Sequence, residues 1–182
     1  MTPGEGRPPL EAREPPDQPD DPASVARTIC LRLLTQRART RAELATALRR
    51  KGVPDQAVDE VLDRFVDVGL IDDAVTAENY AQAQHHQRGL AARAVAGKLR
   101  RRGVDEDTIR TALAPIDASS EQAAASALVA RKLPSLRRLE PSVQARRLFG
   151  LLARRGYSAS VATAVIGAVV PYTPHDPPDL HD

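Results

Sequence analysis

Tryptophan is absent from the 182-residue chain, and phenylalanine, tyrosine, cysteine and methionine occur two, three, one and one times. So few aromatics argue against a sandwich or barrel, whose pleated faces favour β-branched and aromatic side chains; abundant Ala, Leu, Val and Arg suit helix packing. The lone Cys30 excludes an intramolecular disulfide framework and a cysteine-rich zinc site. No apolar run approaches the roughly 20 residues that span a bilayer, and no signal-like apolar stretch follows the first charges. These absences predict a soluble protein in a reducing, cytoplasmic setting, with no membrane association.

Familiar catalytic signatures are missing too. There is no GxxxxGK[ST] phosphate loop, no GxSxG elbow, and no HExxH or CxxC pair. His85 and His86 are adjacent, so on a helix they point about 100° apart and cannot share a metal as i, i+4 histidines do. They are expected to be exposed helix residues, and Cys30, on an apolar stripe, a small core residue. Neither catalysis, nor a metal, nor a cofactor is predicted.

What the chain does contain is a phrase said three times: LRRKGV at 48–53, LRRRGV at 99–104 and LARRGY at 152–157. The copies lie 51 and 53 residues apart, and each is followed by apolar residues in the same register. Val58, Val61, Leu62 and Phe65 follow Gly52; Ile109, Ala112, Leu113 and Ile116 follow Gly103; Ala162, Val165, Ile166 and Val169 follow Gly156. A period of this size is that of one supersecondary unit recurring along an elongated body.

The helical punctuation is repeated with it. Val25, Ala26, Ile29, Cys30, Leu33 and Leu34 form the first buried stripe. Thr40 and Glu43 make a capping box for a second helix that Gly52 closes, and Pro54 starts a third as a first-turn proline, running to about Val68. The second unit is expected to begin near Thr76, continue through a helix at Leu90 to Arg102, and close with Asp105 to Ile116. The third has a capping box at Ser119 and Gln122, a helix to about Leu133, another at about Pro141 to Arg155, and a last at Ser158 to Val170, with Asp105 and Ser158 as equivalent N-caps. The prediction is all-α: nine helices in three tandem three-helix modules, 23–70, 71–117 and 118–170, forming an elongated, curved array. Residues 1–22 hold seven prolines, and four more fall within eight residues from Pro171. Both ends, 1–22 and 171–182, are expected to be disordered acidic tails.

Net charge is only +2, but it is unevenly spread. Residues 1–22 carry two Arg against six acids and 171–182 carry three acids, leaving 24 basic against 15 acidic side chains between them. A body of about +9 suggests a polyanionic partner. The strongest candidates are the repeated clusters Arg49, Arg50 and Lys51; Lys98, Arg100, Arg101 and Arg102; and Arg154 and Arg155. Arginine's planar fork suits phosphate and carboxylate alike. The plainer reading is that cations in a helix's last turn complement its dipole, each contributing about 0.3–1 kcal/mol. Arg37, Arg39, Arg41, Arg131, Lys132, Arg137, Arg138, Arg146 and Arg147 add positive charge, many of them as solvated residues. Gly52, Gly69, Gly103 and Gly156 are structural turn positions. Asp72 and Asp73 cap the junction between modules, since two adjacent carboxylates make a poor metal shell. Tyr80 and Tyr157 sit where core aromatics are expected, too sparse for a base-stacking platform.

The repeated LRRKGV and LRRRGV blocks, the Gly69-Leu70-Ile71-Asp72-Asp73 junction, Tyr80-Ala81, Arg88 and Gly89 together resemble the RecX family of recombinase regulators over roughly 23–170. The spacing from Asp72-Asp73 to Tyr80-Ala81 is longer than the family's compact Asp-Asp-x-x-aromatic-Ala. The resemblance implies tandem three-helix repeats and a monomer that enters the groove of the RecA filament on single-stranded DNA. There it would suppress ATPase, strand-exchange and coprotease activities in DNA repair and the SOS response, with weak direct DNA contacts. Arg88 and Arg93 join the basic clusters as candidate filament or nucleic-acid contacts. The alternatives are a basic helix-turn-helix-like DNA-binding protein without a recombinase partner, and a helical scaffold for another acidic protein.

Overall fold

In the computed structural model, residues 21–171 are described, and all their regular structure is helical. Nine α-helices run in order: α1 Pro22–Leu34, α2 Arg41–Arg50, α3 Asp55–Asp67, α4 Asp73–Arg88, α5 Ala92–Arg101, α6 Glu106–Leu113, α7 Ala118–Lys132, α8 Pro141–Arg154 and α9 Ala159–Gly167. One 3₁₀ turn, Leu133–Leu136, follows α7. The predicted acidic tails lie outside the described residues except at their inner edges: Asp21 caps α1 through Ala23 N–H, and Pro22 is already helical.

Each triplet of helices closes its own core. The first gathers Cys30, Leu44, Leu48, Val58, Leu62 and Phe65; the second Ala77, Ala81, Val95, Leu99 and Ile109; the third Leu128, Leu148, Leu152, Val165 and Ile166. Apolar residues at i, i+3 and i+4 on each helix put one stripe inward, and burying it is what makes these short helices stable. The cores overrun the module boundaries. Ile71, beyond α3, packs into the first, and Ala91, before α5, packs into the third.

Where the structure departs from the sequence-based expectation, local chemistry explains it. The first helix of the second module begins at Asp73 rather than near Thr76, because the Asp72 carboxylate accepts Val75 N–H as an N-cap. The predicted Ser119–Gln122 capping box does not form. Asp117 caps α7 instead, accepting Ser120 N–H at 2.7 Å, so the helix starts at Ala118. Pro54 is the N-cap of α3 rather than its first turn. α6 stops at Leu113 because Pro115 has no N–H to continue the ladder. α9 ends at Gly167, so Val169 is 47% exposed and Val170 takes the inward position. His85 is buried, not exposed: its Nδ1 lies 2.9 Å from the Leu90 carbonyl oxygen. Facing an acceptor, that nitrogen must carry the ring proton.

Candidate interaction surface and the joints that space it

The three basic blocks close the second helix of each module: Arg49–Lys51 at the end of α2, Lys98–Arg102 at the end of α5, Arg154 and Arg155 at the end of α8. Each block runs into a glycine with positive φ: Gly52 at +78°, Gly103 at +76° and Gly156 at +89°. Within each turn the residue after the glycine returns its N–H to the helix, as Val53 to Leu48, Val104 to Leu99 and Tyr157 to Leu152. That is the Schellman closure, which satisfies carbonyls left over at the helix end and needs the left-handed residue that glycine supplies. Gly69 and Gly89 adopt the same conformation at the ends of α3 and α4.

The cations in these blocks have different surroundings. Arg49 pairs with Asp55 at 2.7 Å and Arg100 with Glu106 at 2.5 Å, each bridging the turn six residues on; both pairs are exposed and contribute little to stability. The third module has Ala153 and Ala159 at those two positions. Arg50, Lys51, Arg101 and Arg154, with Arg88 and Arg93, are exposed and have no carboxylate partner among the described residues. Lys98 and Arg155 are half-buried.

Arg102 is different in kind. Its side chain is only 14% exposed, bonds the Glu43 carboxylate of the first module at 2.9 Å and 3.2 Å, reaches the Ala38 carbonyl oxygen, and stands 4.7 Å over the Tyr80 ring. Glu43 also receives Arg37 at 3.0 Å and Thr40 N–H at 3.0 Å. Burial alone would raise the Glu43 pKa, but the bonds from Arg102, Arg37 and Thr40 outweigh it and hold the carboxyl down at about 2.

Arg102 thus belongs to a joint, and the joint is built twice. At the first, the Thr40 hydroxyl donates to the Arg102 carbonyl at 2.6 Å and Arg41 N–H to Asp73 at 2.9 Å. At the second, Ala91 N–H donates to the Arg155 carbonyl at 3.0 Å and Ala92 N–H to Glu121 at 2.7 Å. In both, the basic turn of one module seats against the N-terminus of the preceding module's second helix, while an acid from the intervening helix caps that helix's first N–H. Orphan donors at a helix start need such acceptors. Burial raises the Asp73 pKa, the Arg41 N–H partly offsetting it. The Tyr157 hydroxyl completes the second joint by donating to the Gly89 carbonyl at 3.1 Å, and burial pushes its pKa up to about 12.

These joints space the basic turns, and nothing in the local sequence of the blocks reveals them. The three blocks look alike in sequence, yet two are sockets' plugs and the first, at Gly52, faces open space. Thr40 is fully buried; it caps its own helix and also donates across the joint, a second role that its capping-box spacing in the sequence does not reveal. Asp72 and Asp73 follow α3, one capping α4 and the other capping α2. Cys30 is a core residue whose thiol pKa is raised by burial to about 11. No helix among the described residues is long and apolar enough to cross a membrane, and no group of three potential metal ligands occurs among them.

Three helices per module, repeated three times, with a basic turn ending each second helix and hydrogen-bonded joints between modules, define a tandem-repeat helical protein. Family models described as the first, second and third three-helix domains of RecX match residues 26–65, 72–113 and 120–166. The chain belongs to the RecX family. It is 51% identical over 148 residues to the regulatory protein RecX of Thermobifida fusca, covering 81% of this chain and 80% of that one. It is 47% identical over 150 residues to that of Streptomyces coelicolor, covering 82% and 80%. The crystal structure of RecX from Lactobacillus salivarius shares the fold, with a TM-score of 0.73 at 19% identity over 81% of this chain and 96% of that one.

Proposed function

We propose that this chain is a non-catalytic negative regulator of the RecA recombinase, acting as a monomer in the groove of the RecA filament on single-stranded DNA. Bound there it suppresses ATPase, strand-exchange and coprotease activities, serving DNA repair and the SOS response in the cytoplasm. The observation that carries this reading is the repetition of unpartnered cations, Arg50 and Lys51, Arg101, and Arg154, at one structural position in three successive modules. A filament is itself a repeat, and contacts on one jointed body become intramolecular once the first has formed, so modest individual contacts combine into strong binding. Arg88, Arg93, Lys98, Arg49, Arg100 and Arg155 extend this surface. Arg102, held by Glu43 and Tyr80, sets the spacing between the first two rows.

The test is the ATPase rate of the cognate RecA on single-stranded DNA as this protein is titrated well below one molecule per recombinase. Inhibition at such ratios is expected, and the triple variant Arg50→Glu, Arg101→Glu, Arg154→Glu should need at least tenfold more protein for the same effect. Absence of inhibition by the wild type, alongside retained DNA binding, would replace this reading with the helix-turn-helix-like DNA-binding alternative.

A further inference from the structure

The third module holds a cleft that shares Arg154 with the repeated basic turns but is otherwise lined by residues outside them. It lies between the 3₁₀ turn and α8, with a volume of about 290 Å³. Four exposed cations, Lys132, Arg146, Arg147 and Arg154, line it as a rim over a floor of buried Leu136 and half-buried Leu151. None of the four cations has a carboxylate partner among the described residues. Four like charges around one depression repel one another, and an anion seated among them removes that cost.

Gly150 shapes the cleft. It lies inside α8, where glycine weakens a helix relative to alanine. A Cβ there would meet the Arg154 side chain, its Nη1 at 3.2 Å, and otherwise open space. The bare backbone therefore lets the guanidinium lie across the helix and leaves room above the leucine floor. The second module has the same pair, Gly97 and Arg101, with Nη1 3.7 Å from the equivalent point. A helical glycine kept four residues before an arginine in both modules gives the guanidinium a fixed resting place over the backbone.

We infer that this cleft is a nucleotide-binding site, taking a base on the Leu136–Leu151 floor and its phosphates on the Lys132, Arg146, Arg147 and Arg154 rim. The charge count favours phosphate over a peptide carboxylate, since four cations exceed what one acidic side chain can use, and guanidinium forks bond phosphate oxygens in pairs. The apolar floor favours a ligand with a flat apolar body over a bare anion, and bases accept aliphatic and guanidinium surfaces as well as aromatic ones. The nucleotide is either free or one unit of a single strand. The inference goes beyond the recombinase reading and requires no recombinase.

The test is equilibrium binding of the full chain to fluorescein-labelled dT12 and, separately, to ATP, with tripolyphosphate as the baseless anion. Arg146→Glu with Arg147→Glu should weaken dT12 binding at least tenfold, whereas the same charge change at Arg27 and Arg32, exposed on α1 and outside the basic turns, should weaken it less than threefold. Gly150→Leu, which keeps every charge and places a side chain over the floor, should weaken nucleotide binding at least fivefold and leave tripolyphosphate binding unchanged, with helicity confirmed by circular dichroism. Competition by ATP assigns the site to free nucleotide; binding of dT12 alone assigns it to a strand. Equal losses at the two charge-reversed sites, an unaltered Gly150→Leu variant, or displacement of dT12 by oligoglutamate at equal concentration would each overturn the inference.

Discussion

Three glycines with one conformation and one sequence context should differ sharply in what a methyl group costs them. Gly52→Ala places a Cβ in open space, so its penalty is the left-handed backbone alone, about 1–2 kcal/mol. Gly103→Ala has the same φ, but its Cβ would stand 2.3 Å from the Ala42 Cβ of the preceding module. Methyl carbons rest at about 3.5–4.0 Å, so the joint must open by more than an ångström. That strains the Thr40–Arg102 and Arg41–Asp73 bonds and the Glu43–Arg102 pair. Overpacking of this kind costs about 1–3 kcal/mol, so Gly103→Ala should exceed Gly52→Ala by about 2 kcal/mol. In a chain of this size that corresponds to a further drop of roughly 4–8 °C in Tm. Gly156→Ala, 2.6 Å from the Ala94 Cβ, should behave like Gly103→Ala. Urea titration followed by circular dichroism measures all three. Combining Ala42→Gly with Gly103→Ala supplies the control, since the next atom of Ala42 lies 3.8 Å away. The double variant should recover most of the excess, less about 1 kcal/mol for glycine in a helix. Equal penalties at 52 and 103, or no recovery in the double variant, would refute the joint as described.

Glu43→Gln should lower stability at neutral pH by about 1–2 kcal/mol, because it removes a half-buried charge-assisted pair. The Glu43 carboxyl has a folded pKa of about 2, below its ordinary 4.5, so its contribution is present above about pH 4.5 and disappears as pH falls towards 2. Stability-against-pH curves of the wild type and variant should therefore converge across that window, and parallel curves would count against the assignment. The Cys30 thiol, buried and shifted to about 11, should resist a thiol-specific disulfide reagent at pH 8 in the native protein and react within seconds in urea; fast native labelling would place it outside the core.

The helical class, the threefold repeat and most capping were legible because they rest on short-range chemistry. Apolar spacing fixes which stripe of a helix turns inward, and Thr40–Glu43, Asp105 and Ser158 act within four residues of themselves. The misreadings have the same origin. Asp117 lies two residues before Ser119 and takes the helix start, since its ionised carboxylate accepts Ser120 N–H in a charge-assisted bond, stronger than a hydroxyl makes. Local sequence leaves His85 without a partner, because the Leu90 carbonyl comes within reach only after Gly89 reverses the chain.

By itself the sequence determined the period, the module count and the positive charge of each second-helix end, since each follows from residue type and spacing along one strand of chain. Only the tertiary structure decided which copies of the basic block do what. Arg102 and Arg155 contribute carbonyls to joints because the start of the preceding module's second helix lies against each, whereas a Cβ at Gly52 would meet nothing within 4 Å. Similar local sequence acquires different roles when its neighbours differ, and those neighbours lie some 60 residues away, as Thr40 does from Arg102.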